Sequence, residues 1–355
     1  MTALEILGVG TVGDTASGPD PVRGISAVEL AAHWEDAPFP PGTTYSAVDL
    51  DVRQQLGRKG TGFFDRRTAL TVLAARAAFA DASIDLDGVD RSRAGVVLGT
   101  TVGSIQSSVD YSVATFTQHP PHLVNPGLFP NTVMNGAAGQ AAIWFGLTGI
   151  NATVAGGPMA FLSVLHYATS LFDTDQADLL VAGVVDELTP IGAWIADGSE
   201  GASRHLDEGG ALFVLGAAGE DRATRPRVAG VAIGFAPSRA SRIEALGRCA
   251  LRALSEAGAS TADVGSVAGL TAVQRAEAAA VPAWSWLADP GLAEPEVNLA
   301  DGNQLARPAR QLIALSELLG SPAAGTAFRP YGLLLASSAE GAVGCAVLRG
   351  AMWHS

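Results

Sequence analysis

The chain has 355 residues, of which 48% are hydrophobic and 16% charged, so it can bury a large core. Its formal net charge is -13 at pH 7. Nucleic acids and anionic membranes attract basic surfaces, and this charge therefore argues against both as partners.

The cysteines and the N-terminal sequence indicate where in the cell the protein is expected and whether it has a disulfide framework, a zinc site or a membrane anchor. Cys249 and Cys345 are the only cysteines and lie far apart, so neither a disulfide framework nor a zinc site is indicated. The N-terminus lacks a basic region followed by an apolar stretch, and no charge-free run reaches the ~20 apolar residues of a membrane helix. We expect a cytoplasmic protein without cofactor, metal or membrane anchor.

Short β-rich runs alternate with helical patterns from the N-terminus onward, which is typical of a layered α/β fold. Arg66 to Ala82 carries apolar residues at helical spacing, whereas residues 131–145 and 159–172 predict segments buried on almost all sides. Buried helices imply a core with several layers. The predicted strands of this half are Leu4 to Val9, Ala94 to Leu98, Ala152 to Ala155, Leu179 to Val184 and Ala211 to Leu215.

A second half follows the polar stretch 216–226, which predicts a linker. The amphipathic pattern from Ala240 to Ala257 predicts a helix. We therefore divide the chain into residues 1–216 and 217–355, each within normal domain size. The predicted strands of the second half are Val228 to Ile233, Val267 to Leu270, Glu296 to Ala300, Gly332 to Ser337 and Gly344 to Leu348.

The first glycine motif, Gly8-Val-Gly-Thr-Val-Gly13, formally matches the G-x-G-x-x-G pattern of dinucleotide-binding proteins. Residues 14–21 are too rich in Gly and Pro to form the helix that such a site requires, and no acidic residue ends a second strand at ~20 residues. The motif instead predicts a turn after an N-terminal strand.

The second glycine motif lies in the segment 151–166, which predicts a buried strand, a glycine turn and a helix. Gly156 and Gly157 permit a tight backbone, and Pro158 stands where such an arrangement often presents a nucleophile. Proline suits a first helical turn, because backbone N–H groups in that turn have no acceptor within the helix, so the N–H that proline lacks is not needed. Its ring offers no nucleophile, acid or base. Taken alone, this segment is equally compatible with an ordinary strand-to-helix turn.

Five further segments give this turn a context. They are Gly95-Val-Val-Leu-Gly-Thr-Thr-Val-Gly-Ser104, Phe129-Pro-Asn-Thr-Val-Met-Asn-Gly-Ala-Ala-Gly-Gln140, Leu147-Thr-Gly149, Ala182-Gly-Val-Val-Asp-Glu187 and Asp207-Glu-Gly-Gly-Ala-Leu212. In sequence and order they resemble the β-ketoacyl synthases. The resemblance implies the thiolase-like duplicated α/β/α/β/α layered fold. It also implies a dimer whose subunits meet near the strand before the turn, and a catalytic cysteine at position 158.

The chain departs from the family at its other catalytic positions as well. Where the family has two histidines, this chain has Ala268-Gly-Leu-Thr271 and Gly302-Asn303. The family's lysine is also missing, since residues 298–301 read Asn-Leu-Ala-Asp and Lys59 is the only lysine. The family's Gly-Phe-Gly-Gly gating loop corresponds to Ala339-Glu-Gly-Ala-Val343. Covalent loading and carbanion stabilisation need groups that this chain lacks.

A ketosynthase-like chain with no catalytic residue, degenerate at Pro158 and Asn303, resembles a chain-length factor of a type II polyketide synthase. The resemblance implies a heterodimer with an active ketosynthase, which would bind the acyl carrier protein and its phosphopantetheine-bound acyl chain. Chain-length factors of aromatic systems usually have glutamine at the turn. Pro158 therefore suggests a divergent subgroup, such as one that builds reduced or polyene chains. The residues expected at the acyl tunnel or interface are Tyr111, Phe116, Val133 and Met134.

Two alternatives remain open from the sequence. One is an independent acyltransferase or hydrolase with a remodelled thiolase-fold site, for which Ser163 and Thr153 are the nearest hydroxyls. The other is a regulatory or scaffold protein. The densest basic stretch is expected to be a solvated surface more than a docking site. It comprises Arg53, Arg58, Lys59, Arg66 and Arg67.

Overall fold

The computed structural model describes residues 2–13, 39–41, 44–48, 50–197, 205–219, 225–295, 307–320 and 329–351. These residues build one nine-stranded sheet, in the order β4-β3-β5-β7-β1-β8-β11-β10-β9, and a small parallel pair, β2 and β6. The strands are β1 Leu4–Val12, β2 Thr44–Ser46, β3 Ala94–Thr100, β4 Asn151–Ala155, β5 Leu179–Asp186, β6 His205–Asp207, β7 Gly209–Ala217, β8 Arg227–Phe235, β9 Val264–Ala268, β10 Tyr331–Ser337 and β11 Ala342–Arg349.

The helices pack on the outer faces of the folded sheet and between its two halves. They are α1 Val52–Leu56, α2 Arg66–Ala82, α3 Ile105–Thr117, α4 Gly136–Phe145, α5 Ala160–Asp173, α6 Pro190–Asp197, α7 Arg242–Glu256, α8 Ala272–Ala280 and α9 Arg307–Gly320.

The sheet repeats one pairing pattern in its two halves. In the first half, β3 and β5 are parallel, while β5–β7 and β7–β1 are antiparallel. In the second half, β9 and β10 are parallel, while β10–β11 and β11–β8 are antiparallel. The halves join where Leu4 pairs with Val228 and Glu5 with Arg227. This repetition is the duplication that the resemblance predicts.

The helices show that the sheet folds back on itself. Helix α5 contacts β3 and β5 of the first half and also β8 and β11 of the second, and α9 lies in the same central layer. Helices α2 and α4 cover the outer face of the first half, and α7 covers that of the second. The resulting order is helix, sheet, helix, sheet, helix, which confirms the predicted α/β/α/β/α layering.

The first glycine motif has a packing role. Gly8 and Gly10 lie inside β1, which continues to Val12 instead of turning after Val9 as predicted. A Cβ built on Gly10 would come within 2.0 Å of the Ala74 backbone oxygen, so the glycines let α2 lie directly on the strand. Only Gly13, with φ of 78°, has a turn conformation that favours glycine.

The predicted buried segment 131–145 is wrong in part. Met134 is 46% exposed and Ile143 is 73% exposed, because this region lies at the surface beside edge strand β4. The segment 159–172 does form the central helix. The predicted strand Glu296 to Ala300 lies outside the described residues, and the division at residues 216 and 217 stays a prediction.

Candidate functional site

The strand-to-helix turn has the form that the sequence predicts. Strand β4 ends at Ala155, a 3-10 turn spans Gly157–Met159, and α5 begins at Ala160. Gly157 has φ of 50°, a conformation that favours glycine. The Gly156 N–H donates to the Thr100 carbonyl on β3 at 3.1 Å, which anchors the turn to the sheet. The half-buried Pro158 therefore stands at a well-defined point between the edge strand and the central helix.

The second half of the chain lies next to this turn. A Cβ built on Gly344 of β11 would come within 2.9 Å of the Met159 side chain. Ala268, at the end of β9, and Ala336, on β10, belong to the same buried cluster as Met159. The fold thus places the Pro158 turn against β10 and β11 of the second half, and Ala268 belongs to the core cluster that these strands share with Met159. Gly302 and Asn303 lie outside the described residues.

The polar groups beside Ala268 are committed to structural hydrogen bonds. Thr271 is the N-cap of α8, where its Oγ1 accepts from the Gln274 N–H at 3.2 Å and its own N–H donates to Gln274 Oε1 at 2.9 Å. The Gln274 Nε2 group donates to Ser337 Oγ on β10 at 2.9 Å. These neutral groups neither carry nor transfer protons near pH 7.

The segment 339–343 forms a closed turn between β10 and β11. The Ser338 N–H donates to the Ala342 carbonyl at 2.8 Å, and Gly341 has φ of 100°. Hydrogen bonds from its own backbone and from Ser338 lower the pKa of the Glu340 carboxyl, despite partial desolvation. The turn therefore presents a carboxylate where the resemblance predicts an aromatic gate.

A cluster of carboxyl groups lies at the carboxyl end of β5, the same end of the sheet as the strand-to-helix turn, and sequence reasoning missed it. Burial raises the pKa of Asp186, although the Thr100 hydroxyl donates to its Oδ1 at 2.5 Å. Burial, with repulsion from Asp65, raises the pKa of Glu187 to about 8, while the Arg67 charge opposes that rise. An Asp-Glu pair directly after a buried strand is the signal that could have revealed this cluster.

Glu208 is the third carboxyl group of this region, and its bonds are structural. The carboxylate is 1% exposed and accepts from Arg66 Nε at 2.7 Å and from the Val48 N–H at 2.7 Å. Arg66 and Arg67 are therefore not part of a solvated basic surface, which corrects the expectation for this stretch. Arg53, Arg58 and Lys59 are exposed as expected.

Among the described residues expected at a tunnel or interface, Phe116, Val133 and Met134 are exposed, whereas Tyr111 is partly buried. The Tyr111 and Phe129 rings are 5.9 Å apart, edge to face, and a cleft of about 480 Å³ opens beside Tyr111. We use the term apolar surface for the exposed side chains here. They are Val113, Phe116, Leu123, Leu128, Phe129, Val133 and Met134.

Two other features complete the description. Cys249 and Cys345 are buried free cysteines, as predicted for core residues. Within the part of the chain that the structure describes, no group of three or more His, Cys, Asp or Glu side chains could hold a metal ion. The described helices are all too short or too polar to cross a membrane.

Comparisons with known proteins agree with this geometry. Residues 45–207 match the family described as "Beta-ketoacyl synthase, N-terminal domain". This part of the chain is similar to that domain, and it includes the strand-to-helix turn at Pro158. Over 206 residues, the chain is 25% identical to 3-oxoacyl-[acyl-carrier-protein] synthase 2 of Coxiella burnetii, covering 55% of this chain and 50% of that protein. The chain thus spans about half the length of the curated relatives that it matches.

Solved structures extend the likeness to the whole ketosynthase-like chain. The ishigamide ketosynthase/chain length factor shares 28% identity, with a TM-score of 0.70 over 98% of this chain and 99% of that one. A ketosynthase (ApeO) in complex with its chain length factor (ApeC), from Xenorhabdus doucetiae, shares 14% identity, with a TM-score of 0.69 over 98% of both chains. The thiolase-like ketosynthase fold is therefore established for both halves.

Proposed function

We propose that this chain is a non-catalytic chain-length factor that pairs with an active ketosynthase and shapes the acyl tunnel during type II polyketide elongation. The observation that carries the proposal is the inert turn: a ketosynthase-like elbow is kept in full, with Pro158 where a nucleophile would stand. In this scheme the partner supplies the catalytic groups. The product class we favour is the reduced or polyene type, because Pro158 departs from the glutamine of aromatic systems.

Among the residues that the structure describes, β4 is an edge strand, which supports a partner at this place. Gly156 N–H and Ile150 C=O both bond to β3, and backbone groups alternate along a strand, so those of Asn151, Thr153 and Ala155 point away from the sheet. An unpaired strand edge is a template for pairing with another chain. The strand carries no charged residue that would oppose such pairing.

The apolar surface supports the same partner. Phe116 is 82% exposed and Phe129 is 56% exposed, and contiguous apolar side chains of this kind usually mark an interaction surface. Phe116, Val133 and Met134, which the resemblance places at the tunnel or interface, are part of this surface. A ketosynthase that paired with β4 would cover both features and enclose Val133 and Met134 between the subunits.

The acyl carrier protein is the second partner in this proposal, and it would deliver its phosphopantetheine-bound acyl chain mainly to the ketosynthase. Carrier proteins of this kind are expected to be acidic. Since this chain also has a net charge of -13, long-range attraction between the two is weak.

The proposal is tested by co-expression with the ketosynthase encoded beside this gene, followed by size-exclusion chromatography. We expect a stable 1:1 heterodimer and a chain that is unstable or self-associated alone. A stable monomer that does not bind the ketosynthase would refute the proposal. Incubation of this chain alone with acyl-carrier or acyl-coenzyme A thioesters distinguishes the proposal from the alternative of an independent acyltransferase or hydrolase. Turnover or covalent acylation without a partner would indicate a catalytic site on this chain.

A further inference from the structure

Arg67 is an arginine buried inside the first half of the molecule. Its side chain leaves α2 and has no exposed surface. The Nη2 atom donates to Ser104 Oγ at 2.7 Å and to the Met134 carbonyl at 2.9 Å, and Nη1 lies 3.5 Å from Thr100 Oγ1. All three acceptors are uncharged, so the guanidinium is held by hydrogen bonds and not by a direct ion pair with them.

These bonds are part of a set that holds three consecutive backbone carbonyls. Arg67 binds the Met134 carbonyl, Ser104 Oγ donates to the Val133 carbonyl at 2.9 Å, and Ser108 Oγ donates to the Thr132 carbonyl at 2.6 Å. Arg67 donates to one lone pair of the Ser104 oxygen, so the Ser104 hydrogen points away from the guanidinium and toward the Val133 carbonyl. The guanidinium therefore controls two of the three contacts.

The approach of the guanidinium to this segment depends on Gly103. This residue has φ of 63°, and a Cβ built on it would lie 2.7 Å from Met134 Cγ and 3.3 Å from Arg67 Nη1. The glycine leaves room for the Met134 side chain on one side and the guanidinium on the other. Both the conformation and the space thus fit glycine at position 103.

Burying the charge carries a cost in stability. Among the described residues, Arg67 Nε has no hydrogen-bond partner. The Arg67 charge also opposes the rise in the pKa of Asp186 and Glu187, so it interacts with both carboxyl groups. Replacing every member of a buried charged group by apolar residues is often neutral or stabilising, whereas removing one member alone is destabilising. The feature that the arginine does fix is the position of residues 132–134, whose side chains Val133 and Met134 are 41% and 46% exposed on the apolar surface.

We propose that Arg67 is a positioning residue that sets where Val133 and Met134 stand on the partner-facing surface and so fixes the length of the acyl product. The part of this inference that concerns product length rests on the proposed function. The part that concerns the backbone of residues 132–134 does not.

The test is hydrogen exchange of the peptide covering residues 130–137, measured on the heterodimer and on the chain alone. In Arg67→Met, loss of a hydrogen bond to a charged group should speed exchange in this peptide roughly tenfold or more, while α5 peptides stay unchanged. The exchange rate in Arg67→Lys should lie between those of the wild type and Arg67→Met. An ammonium can reach the Met134 carbonyl, but it lacks the planar guanidinium that binds two acceptors at once. Products of the Arg67→Met heterodimer should spread over more chain lengths than those of the wild type.

The controls separate positioning from general destabilisation. Arg76→Met removes an exposed arginine of the same helix, which donates to the Gln55 carbonyl, and should leave residues 130–137 unchanged. If Arg67→Met does not fold, Ser104→Ala removes the Arg67–Ser104 and Ser104–Val133 hydrogen bonds and should speed exchange in the same peptide to a smaller extent, because Arg67 still binds the Met134 carbonyl. Unchanged exchange, or exchange raised equally throughout the chain, would overturn the role of Arg67. If no heterodimer forms, the proposed function fails, yet exchange in the chain alone still decides the positioning.

Discussion

Gly344 on strand β11 lies directly against Met159, the residue that follows Pro158. This contact places the C-terminal hairpin at the strand-to-helix turn, so the two halves of the chain meet beside Pro158. The geometry of the elbow is intact. Pro158 and Ala268 themselves carry neither a nucleophile nor a group that exchanges protons.

Restoring the nucleophile alone should not restore condensation. In Pro158→Cys we expect the introduced thiol to be alkylated by iodoacetamide, since residue 158 is half-buried at the start of a helix. Turnover of acyl thioesters should stay at background, because Ala268 and Thr271 supply no acid or base. Mass spectrometry after alkylation and a thioester assay measure the two effects.

The native cysteines should add little to the alkylation measured in this experiment. Burial raises the thiol pKa of both Cys249 and Cys345, so neither should react readily. Condensation by Pro158→Cys without a partner would contradict the proposed loss of catalysis.

Subunit pairing should depend on the outward N–H of Thr153. Thr153→Pro removes this donor but leaves the β4 groups that bond to β3, so the chain should fold while its affinity for the ketosynthase falls about tenfold or more. Analytical ultracentrifugation or calorimetry measures this affinity.

Thr153→Val is the matched control. It keeps the N–H and the branched shape, and the Thr153 hydroxyl has no hydrogen-bond partner within the described structure. Its affinity should equal that of the wild type. Equal affinity for the proline variant would instead show that the partner does not pair along β4.

Product length should follow the size of the residues on the apolar surface. Met134→Trp should shorten the products and Met134→Ala or Phe116→Ala should lengthen them, because each side chain would occupy or vacate tunnel space without touching the catalytic groups of the partner. Overall turnover should stay within about tenfold of the wild type. Phe235→Ala, which removes a 63% exposed phenylalanine from the second half, should change nothing. Identical product profiles across the Met134 and Phe116 variants would remove both from the tunnel.

Folding stability should fall as pH rises through the range in which Glu187 ionises. Its folded pKa is about 8, against an ordinary value of 4.5, so between these values the folded chain holds a proton that the unfolded chain has lost. The free energy of unfolding should therefore decrease from pH 5 toward pH 8. Glu187→Gln should make the total decrease between pH 5 and pH 8 smaller by an amount on the order of 2 kcal/mol.

Denaturant unfolding of both chains at pH 5, 6, 7 and 8 measures this difference. Asp186, whose pKa burial also raises, contributes a slope of the same sign in both chains and so cancels in the comparison. Parallel curves for wild type and Glu187→Gln would contradict the raised pKa of Glu187.

The sequence by itself determined the layered fold class, most strands of both halves and the inert elbow. Hydrophobic runs and glycine positions are local patterns that strand and helix formation impose directly, as the Gly156–Pro158 turn illustrates. Only the tertiary structure decided that part of residues 131–145 lies at the surface, that Arg67 is buried while Arg53 and Arg58 are exposed, and that Gly344 meets Met159. These features depend on which distant segments pack together, and residues 67 and 134 or 159 and 344 have no local signal that relates them.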